Sequence, residues 1–568
     1  MPDIRIQKYK NPIISGYNPD PSICRVGDDF YLVNSTFEFY PGVPVYHSKN
    51  LVNWELINYC LRDKEQLYLD GVRPSGGIYA PMLCYHNGEF FMTTTNVSHK
   101  GHLIVHTSDI YGKWSKPVWI DQGGIDPTLL FDGEDVYFAS TSRDKDDRDG
   151  IFMCKINPYT GEKLSESVCI SHGCGGICPE GPHIYKLNGK YYLLLAEGGT
   201  EYGHMVTRMG IERKVIVGHW TDKKVQERLA SWMRTAIGIM ESSHIRVCRV
   251  ADNMRNVAVT EGDKVEAQIK FGWEVDAYPV NEIAEYVSAV SKGDIDALVE
   301  EYYNKYDILL EGRDPEEFRR HVAVQAGIEI GFEKFLEEKN YQAIVTHFGD
   351  LGALKQLPGL AIQRLMEKGY GFGAEGDWKT AAMVRLMKIM TAGMKDAKGT
   401  SMMEDYTYNL VPGKEGILQS HMLEVCPSVA DGKPAIKVCP LSMGEREDPA
   451  RLVFTSKTGP AIATSLVDLG DRFRLIINDV DCKKVEKPMP KLPVGSAFWT
   501  PQPDLATGAE AWILAGGAHH TAFTYDLTAE QMGDWAAAMG IEAVYIDKDT
   551  TIRNFKNELR WNEVAFRK

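Results

Sequence analysis

The 568-residue sequence lacks the features of membrane, disulfide-rich and nucleic-acid-binding proteins. No apolar run approaches the roughly 18 residues that a spanning helix needs, and the first residues lack the apolar stretch of a signal peptide. The eleven cysteines include no CxxC pair, which predicts reduced thiols and no cysteine-based zinc site. Acidic residues outnumber basic ones by 78 to 63, without a basic stripe. We therefore expect a cytoplasmic protein without a membrane or nucleic-acid partner.

The first 207 residues contain a recurring β pattern. Short aromatic and β-branched runs, each bounded by Gly, Asn or Asp, predict strands that follow tight turns. Four such runs begin at Asp28, Gly88, Gly133 and Gly189, close to the spacing of propeller blades. We therefore predict a β-propeller, in which the repeat stops in mid-unit near Thr207 and no linker follows.

Three carboxylates stand beside prolines in loops just ahead of repeat strands: Asp20, Asp126 and Glu180. A single Asp-Pro pair is most often a turn signal. Loops at one end of a propeller converge on its axis, however, and three acids there would divide the work of glycoside cleavage. One would activate water, one would protonate the leaving oxygen and one would tune the donor's pKa. Three equivalent positions favour this catalytic interpretation.

Three motifs in this region are highly specific: Asn11–Ser22, Gly76–Pro81 and Pro179–Pro182. Together they are similar to those of family 43 glycoside hydrolases of the β-xylosidase and α-L-arabinofuranosidase type. The resemblance implies an inverting enzyme built on a five-bladed propeller. Because it ends within the fourth repeat, the propeller would be unclosed and would lack part of its pocket.

The same resemblance implies roles for individual residues. Asp20 would be the general base, Asp126 the pKa modulator and Glu180 the general acid. Phe37 and Tyr79 would form apolar walls of the sugar subsite, although either side chain could instead fill a blade core. The substrates implied are xylo- or arabino-oligosaccharides.

After the junction the periodicity changes to an alternation of strands and helices. Arg213–Gly218 and His244–Val250 are apolar runs that predict buried parallel strands, and Asp222–Met240 between them has helical spacing. This βαβ pattern predicts an open sheet flanked by helices up to about residue 400. Beyond it, runs such as Ala461–Val467 predict a second, mostly β domain.

Four side chains in this half are candidate ligands of a metal ion: Glu375, Glu404, His421 and His520. Two carboxylates and two imidazoles suit Mn²⁺, Co²⁺ or a similar divalent ion better than a structural zinc. The four are far apart in sequence, so their spacing alone is a weak signal. A lone histidine is more often a core or surface residue, and Glu375 is also interpretable as a helix-start carboxylate.

Residues 208–568 resemble L-arabinose isomerase without roughly its first quarter to third. The resemblance lies in several specific stretches, among them Asp252–Thr260, Ile269–Trp273, Glu375–Ala382, Met403–Tyr408 and His421–Pro427. It implies conversion of L-arabinose to L-ribulose by a metal-dependent enzyme that forms a homo-oligomer. The domain that is missing from this chain helps to build the sugar pocket in that family.

By this likeness Glu375, Glu404, His421 and His520 would bind the metal, and His519 would be the less favoured histidine of its pair. Moving a proton between C1 and C2 of a sugar requires a cation that polarises O1 and O2 and a carboxylate that shuttles the proton. Glu375 and Glu404 would therefore be ligands and acid/base groups together.

The sequence thus predicts a multidomain chain. A partial five-bladed β-propeller would occupy residues 1–207, an α/β open-sheet domain 208–400 and a mostly β C-terminal domain 401–568. Three functions remain open. The favoured one is an aldose–ketose isomerase fused to an incomplete inverting glycosidase. The others are an active family 43 glycosidase and an inactive fusion of two truncated enzymes, which the missing linker favours.

Overall fold

The computed structural model describes residues 13–173, 179–187, 190–196, 206–219, 221–441, 445–485 and 489–567. Contacts divide the chain into two compact units that adjoin in sequence at Glu212 and Arg213. The first unit is built mainly of β-strands, and the second combines helices with two sheets. No helix among the described residues is both long and apolar enough to cross a membrane.

The first unit contains three four-stranded antiparallel sheets in sequence order, β1–β4, β5–β8 and β9–β12, followed by the two-stranded sheet β13–β14. The strands are β1 (Ser22–Val26), β2 (Asp29–Val33), β3 (Gly42–Ser48), β4 (Glu55–Leu61), β5 (Met82–His86), β6 (Glu89–Asn96), β7 (Gly101–Thr107), β8 (Val118–Ile120), β9 (Ile125–Asp132), β10 (Asp135–Arg143), β11 (Asp149–Lys155), β12 (Val168–Ser171), β13 (Glu180–Leu187) and β14 (Lys190–Ala196). A short helix, α1 (Lys64–Leu67), lies between the first two sheets.

The four repeated runs of the sequence form the second strand of each sheet, β2, β6, β10 and β14. Two-residue turns precede them where the structure describes the turn. Asn87-Gly88 has positive φ at both positions, 48° and 90°, as a type I′ hairpin turn requires. Consecutive antiparallel sheets of this kind are blade-like, so the predicted propeller region is confirmed at that level. The prediction of five blades remains untested.

A parallel sheet of order β16-β15-β18-β19 forms the first part of the second unit. Its strands are β15 (Arg246–Val250), β16 (Glu274–Tyr278), β18 (Ala343–Val345) and β19 (Gly371–Gly373). The helices of this part are α2 (Lys223–Ser242), α3 (Lys264–Phe271), α4 (Val280–Ser288), α5 (Lys292–Lys305), α6 (Pro315–Glu338), α7 (Gly359–Glu367) and α8 (Trp378–Thr391). The predicted open α/β sheet is present.

The prediction of a strand at Arg213–Gly218 is wrong, because this segment has no regular secondary structure. Val215 and Val217 are 59% and 80% exposed. A β-branched run becomes a strand only where a neighbouring strand offers a ladder. Here Lys214 instead forms ion pairs with Glu530 and Asp534, at 2.5 and 2.6 Å, and these pairs hold the segment in an extended coil.

The last part of the second unit is a ten-stranded sheet that closes on itself. Its strands are β17 (Asp307–Leu309), β20 (Thr400–Asn409), β21 (Gly416–Ser420), β22 (Ala435–Val438), β23 (Ala450–Thr455), β24 (Gly459–Asp468), β25 (Phe473–Lys483), β26 (Gly495–Pro501), β27 (His520–Thr524) and β28 (Glu542–Ile546). Strands β26-β21-β20-β27-β24-β25 form a closed barrel, because β25 also pairs with β26. The helices α9 (Leu505–Ala515), α10 (Ala529–Met539) and α11 (Ile552–Phe566) complete this part.

Candidate functional site

Strand register brings three of the predicted metal ligands together. In the barrel, Glu404 of β20 lies directly opposite His520 of β27 and opposite Ser420 of β21. His421 follows Ser420, so both imidazoles flank the Glu404 carboxylate. Glu375 comes from the loop that leaves β19, at the carboxyl end of the parallel sheet, where α/β proteins place their functional groups.

The side chains of this cluster lie close together, but most of the distances between their polar atoms are longer than hydrogen bonds. Glu375 Oε2 lies 3.4 Å from His519 Nε2 and 3.7 Å from His520 Nε2. His421 Nε2 lies 4.0 Å from Glu404 Oε2, and the His421 and His520 ring centres are 5.7 Å apart. Ligand atoms of Glu375, His519 and His520 all lie within 4.8 Å of one another, a spacing that can hold a metal ion.

Two buried atoms of the cluster have no hydrogen-bond partner among the described residues, Glu404 Oε2 and His520 Nε2. A buried polar atom without a partner costs about 1–3 kcal/mol. Both atoms carry a lone pair, and each lies near another candidate ligand: Glu404 Oε2 is 4.0 Å from His421 Nε2, and His520 Nε2 is 3.7 Å from Glu375 Oε2. A divalent cation there would bind these lone pairs, so the residues present fit a metal ion.

The second ring nitrogen of each inner histidine faces a buried carboxylate. His421 Nδ1 lies 2.6 Å from Glu424 Oε2, and His520 Nδ1 lies 3.3 Å from Asp377 Oδ2. Both acids are 2% exposed or less. Carboxylates that hold the distal nitrogen of a ligating histidine are a recurrent feature of metal sites.

The electrostatics of the cluster are those of a site built to attract a cation. Burial lowers the pKa of His421, but the nearby charge of Glu424, with those of Glu404 and Glu375, raises it to about 9. Burial alone would raise the pKa of Glu375, and its hydrogen bond with His519 together with the neighbouring imidazoles brings that pKa below its usual value. Burial lowers the pKa of His520.

The backbone around Glu375 is held in an unusual conformation. Glu375 has φ of 57°, in the left-handed region that non-glycine residues rarely adopt. Its carbonyl accepts a 2.8 Å hydrogen bond from the Met254 amide. A Cβ added to Gly376 would lie 2.2 Å from the Asn253 Cα, so only glycine fits there. The Asp252–Thr260 stretch is therefore a support for the carboxylate loop.

Sequence reasoning missed Asp377, Glu424 and the buried Lys379. The Lys379 ammonium donates to the carbonyls of Val259, at 2.8 Å, and Glu261, which ties α8 to the same supporting loop. The available signals were weak: Asp377 lies two residues after a predicted ligand, and Glu424 lies three after another. His519, which is the less favoured metal ligand of the His519–His520 pair, lies closer to Glu375 than His520 does.

In the first unit, the charges of two of the three predicted carboxylates, Glu180 and Asp20, act on the third, Asp126. Burial, with the charges of Glu180 and Asp20, raises the pKa of Asp126 to about 6, although the Gly181 amide donates to its Oδ2 at 3.1 Å. Asp20 accepts a short hydrogen bond from Ser35 Oγ. Asp20 and Asp126 have φ of 52° and 56°, so both occupy strained left-handed conformations.

The two predicted aromatic walls pack against each other. The Phe37 and Tyr79 rings are nearly perpendicular, with centres 5.3 Å apart, and neither residue is fully buried. Phe37 is fixed by two backbone hydrogen bonds with Ile78, at 2.8 and 3.0 Å. This partial exposure differs from the full burial that blade-core aromatics such as Phe138 have.

Models of known families match the chain in three places. The L-arabinose isomerase central domain matches residues 246–393, and the L-arabinose isomerase C-terminal domain matches 399–542. The L-arabinose isomerase of Geobacillus stearothermophilus is 56% identical over 372 residues, which are 66% of this chain and 74% of that protein. The chain belongs to the L-arabinose isomerase family. The isomerase of Bacillus subtilis strain 168 is 54% identical over the same shares of both chains.

This isomerase-family chain also has a glycosidase region. The model of glycosyl hydrolases family 43 matches residues 9–273 and overlaps the isomerase match over 246–273. The solved structure of Bacteroides ovatus Xyloglucan PUL GH43B is 45% identical, covering 34% of this chain and 38% of its own, with a TM-score of 0.32. A xylan β-1,4-xylosidase from Bacillus halodurans C-125 is 36% identical, covering 34% and 39%, with the same TM-score. The chain therefore spans less than two fifths of these proteins.

Proposed function

We propose that the chain is a Mn²⁺-dependent isomerase that converts L-arabinose to L-ribulose, with an incomplete family 43 region fused ahead of it. The observation that supports this most directly is a pair of buried atoms, Glu404 Oε2 and His520 Nε2, which lie near His421 and Glu375 and have no hydrogen-bond partner within the described part of the chain. Mn²⁺ suits two carboxylates and two imidazoles, and Co²⁺ is the substitute that fits the same donors. We assign these four residues as the metal ligands.

The roles of the protein groups follow from their positions. A bound divalent cation supplies Lewis-acid polarisation of the sugar's O1 and O2. Glu375 and Glu404 face that space from opposite elements, so one accepts the C2 proton and returns it to C1. The buried histidines exclude water from their side of the site. L-arabinose is the substrate proposed, by analogy with the relatives.

The domain bounds proposed from the sequence are 1–207 for the propeller region, 208–400 for the open-sheet region and 401–568 for the barrel region. Five blades would be the complete form of the propeller. A homo-oligomer is proposed for this chain only because its resemblance to the isomerase family implies one. We place the protein in the cytoplasm.

The decisive experiment is turnover of L-arabinose by the purified chain with and without Mn²⁺, measured as L-ribulose formed. We expect Mn²⁺-dependent turnover that Glu375→Ala abolishes. Glu445→Ala is the matched control, since it removes an exposed glutamate that also has positive φ but lies outside the cluster. Metal binding without turnover would retain the metal site and reject the isomerase. If the chain shows neither metal binding nor turnover, the inactive fusion is supported.

A second function is supported by the pKa of Asp126, which burial raises first and the nearby charges of Glu180 and Asp20 raise further. In this alternative Asp20 is the general base, Asp126 the modulator and Glu180 the general acid, with Phe37 and Tyr79 as subsite walls. Release of p-nitrophenol from an aryl xyloside or arabinofuranoside, lost in Asp20→Asn, would support it, because an aryl leaving group needs the general base but little help from the general acid. No release from either substrate would reject it and leave the propeller region without glycosidase activity.

A further inference from the structure

The two carboxylates behind the metal-facing histidines bind them in different ways. Glu424 uses one oxygen for two donors, because its Oε2 accepts from His421 Nδ1 at 2.6 Å and from the Leu423 amide at 2.9 Å. Asp377 uses both oxygens. Its Oδ1 accepts from the Thr380 amide at 3.1 Å, and its Oδ2 accepts from Thr380 Oγ1 at 2.7 Å and faces His520 Nδ1 at 3.3 Å.

Asp377 also caps the start of helix α8, and this cap determines which hydrogen bonds each of its two carboxylate oxygens makes. Its Oδ1 satisfies the Thr380 backbone amide, one of the N–H groups that a helix start leaves without a partner. Lys379 Nζ lies 4.0 Å from the same oxygen. Oδ1 is therefore surrounded by donors, and only Oδ2 is directed at the imidazole.

We propose that Asp377 is a positioning residue that sets the tautomer of His520. An ionised carboxylate only accepts hydrogen bonds, so His520 must carry its proton on Nδ1. The lone pair then lies on Nε2, the buried atom that has no partner among the described residues and faces Glu375 Oε2 at 3.7 Å. This inference rests on the metal site of the proposed function.

The geometry predicts effects of different size for two substitutions that each remove one negative charge. In Asp377→Asn the amide oxygen must stay beside the Thr380 amide, since the reverse orientation would place two donors together. The new NH₂ group then faces His520 Nδ1, which must accept, and the proton moves to Nε2. The metal-facing nitrogen thus loses its lone pair.

Glu424→Gln has no such consequence for His421. The glutamine oxygen can occupy the Oε2 position and accept from both the imidazole and the Leu423 amide, as the carboxylate does. The Nδ1 proton of His421 therefore stays in place, and Nε2 remains the nitrogen that faces Glu404. The two variants are therefore matched in size and charge and differ only in the tautomer they impose.

The experiment is a calorimetric titration of the purified full-length chain with MnCl₂. We expect Asp377→Asn to weaken Mn²⁺ binding about 100-fold and Glu424→Gln about tenfold or less, the range of measured outer-residue effects. Equal losses in both variants, or wild-type affinity in Asp377→Asn, would overturn the proposal. No Mn²⁺ binding by the wild-type chain would instead reject the metal site of the proposed function.

A second measurement covers the case in which Asp377→Asn does not fold or the wild-type chain binds no metal. Long-range ¹H–¹⁵N spectra of the metal-free chain labelled with ¹⁵N-histidine report which ring nitrogen carries the proton. The His520 signal, assigned by its loss in His520→Gln, should show the Nδ1–H form in the wild-type chain. An Nε2–H form would overturn the proposal whatever the metal does.

Discussion

The two units of the chain build their acidic clusters in opposite ways. In the second unit, the cluster is set by ladder register inside a closed barrel, where Glu404 pairs directly with His520. In the first unit, Asp20 precedes β1, Asp126 lies within β9 and Glu180 begins β13, so three different sheets supply the carboxylates and the last of these has only two strands. In the second unit the barrel fixes Glu404 and the histidines beside it, and only Glu375 comes from a loop outside the barrel.

Both clusters nevertheless share one feature of their backbones. Asp20 and Asp126 in the first unit and Glu375 in the second have φ between 52° and 57°. A non-glycine residue pays about 1–3 kcal/mol for such a conformation, and it persists only when the surroundings impose it. The first unit therefore retains local strain of the kind that functional sites store.

The largest expected difference between the units concerns the barrel core. Trp499 is 2% exposed and stacks on Phe523, with ring centres 4.9 Å apart. Trp499→Ala should destabilise the second unit by about 3–5 kcal/mol, because it removes a large buried side chain and leaves a cavity. Hydrogen exchange of β20–β27 at increasing urea concentration would measure this loss of stability. If β1–β12 lost the same protection, the two units would not be independent in stability.

Removal of the metal should produce the next largest effect, and only in the second unit. A ligand present at 100 times its Kd stabilises the state that binds it by about 2.7 kcal/mol. Adding EDTA to the Mn²⁺-loaded chain should therefore increase hydrogen exchange in β20, β21 and β27. Strands β1–β12 should not change. Increased exchange in the first unit as well would place a second metal site there.

The smallest effect is expected from Asp126→Asn in the first unit. The folded-state pKa of about 6 lies above the ordinary value of 3.8, so between these pH values the folded state holds a proton that the unfolded state has released. Stability therefore falls as pH rises through this window and stays lower above it. Asparagine tolerates the left-handed conformation and carries no charge.

At pH 7–8 the free energy of unfolding of the variant should accordingly exceed that of the wild type by about 1 kcal/mol. This value is smaller than the full pKa shift would give, because Asp126 is only partly buried. It should gain nothing below pH 4. Urea unfolding of β9–β12 at both pH values measures the difference. A gain of equal size at both pH values would show that the buried charge is not its cause.

Local pattern was enough to find the four repeated hairpin strands of the first unit and the change to α/β structure in the second. The turn residues ahead of β2, β6 and β10 marked hairpins, and the change of period after residue 207 marked the α/β region, because turns and amphipathic faces depend on near neighbours in sequence. The one predicted strand that is absent, Arg213–Gly218, had suitable residues but no neighbouring strand to pair with. Ladder partners are not encoded locally.

The sequence by itself determined the kinds of donor present, two carboxylates and two imidazoles in the second half and three proline-flanked acids in the first. Only the tertiary structure decided how they meet. The Glu404–His520 register joins segments far apart in the chain, and the pairing of β25 with β26 closes the barrel. The carboxylates behind the histidines, Asp377 and Glu424, likewise became recognisable only once the ring nitrogens they face were located. Contacts between distant segments depend on packing, which no local pattern records.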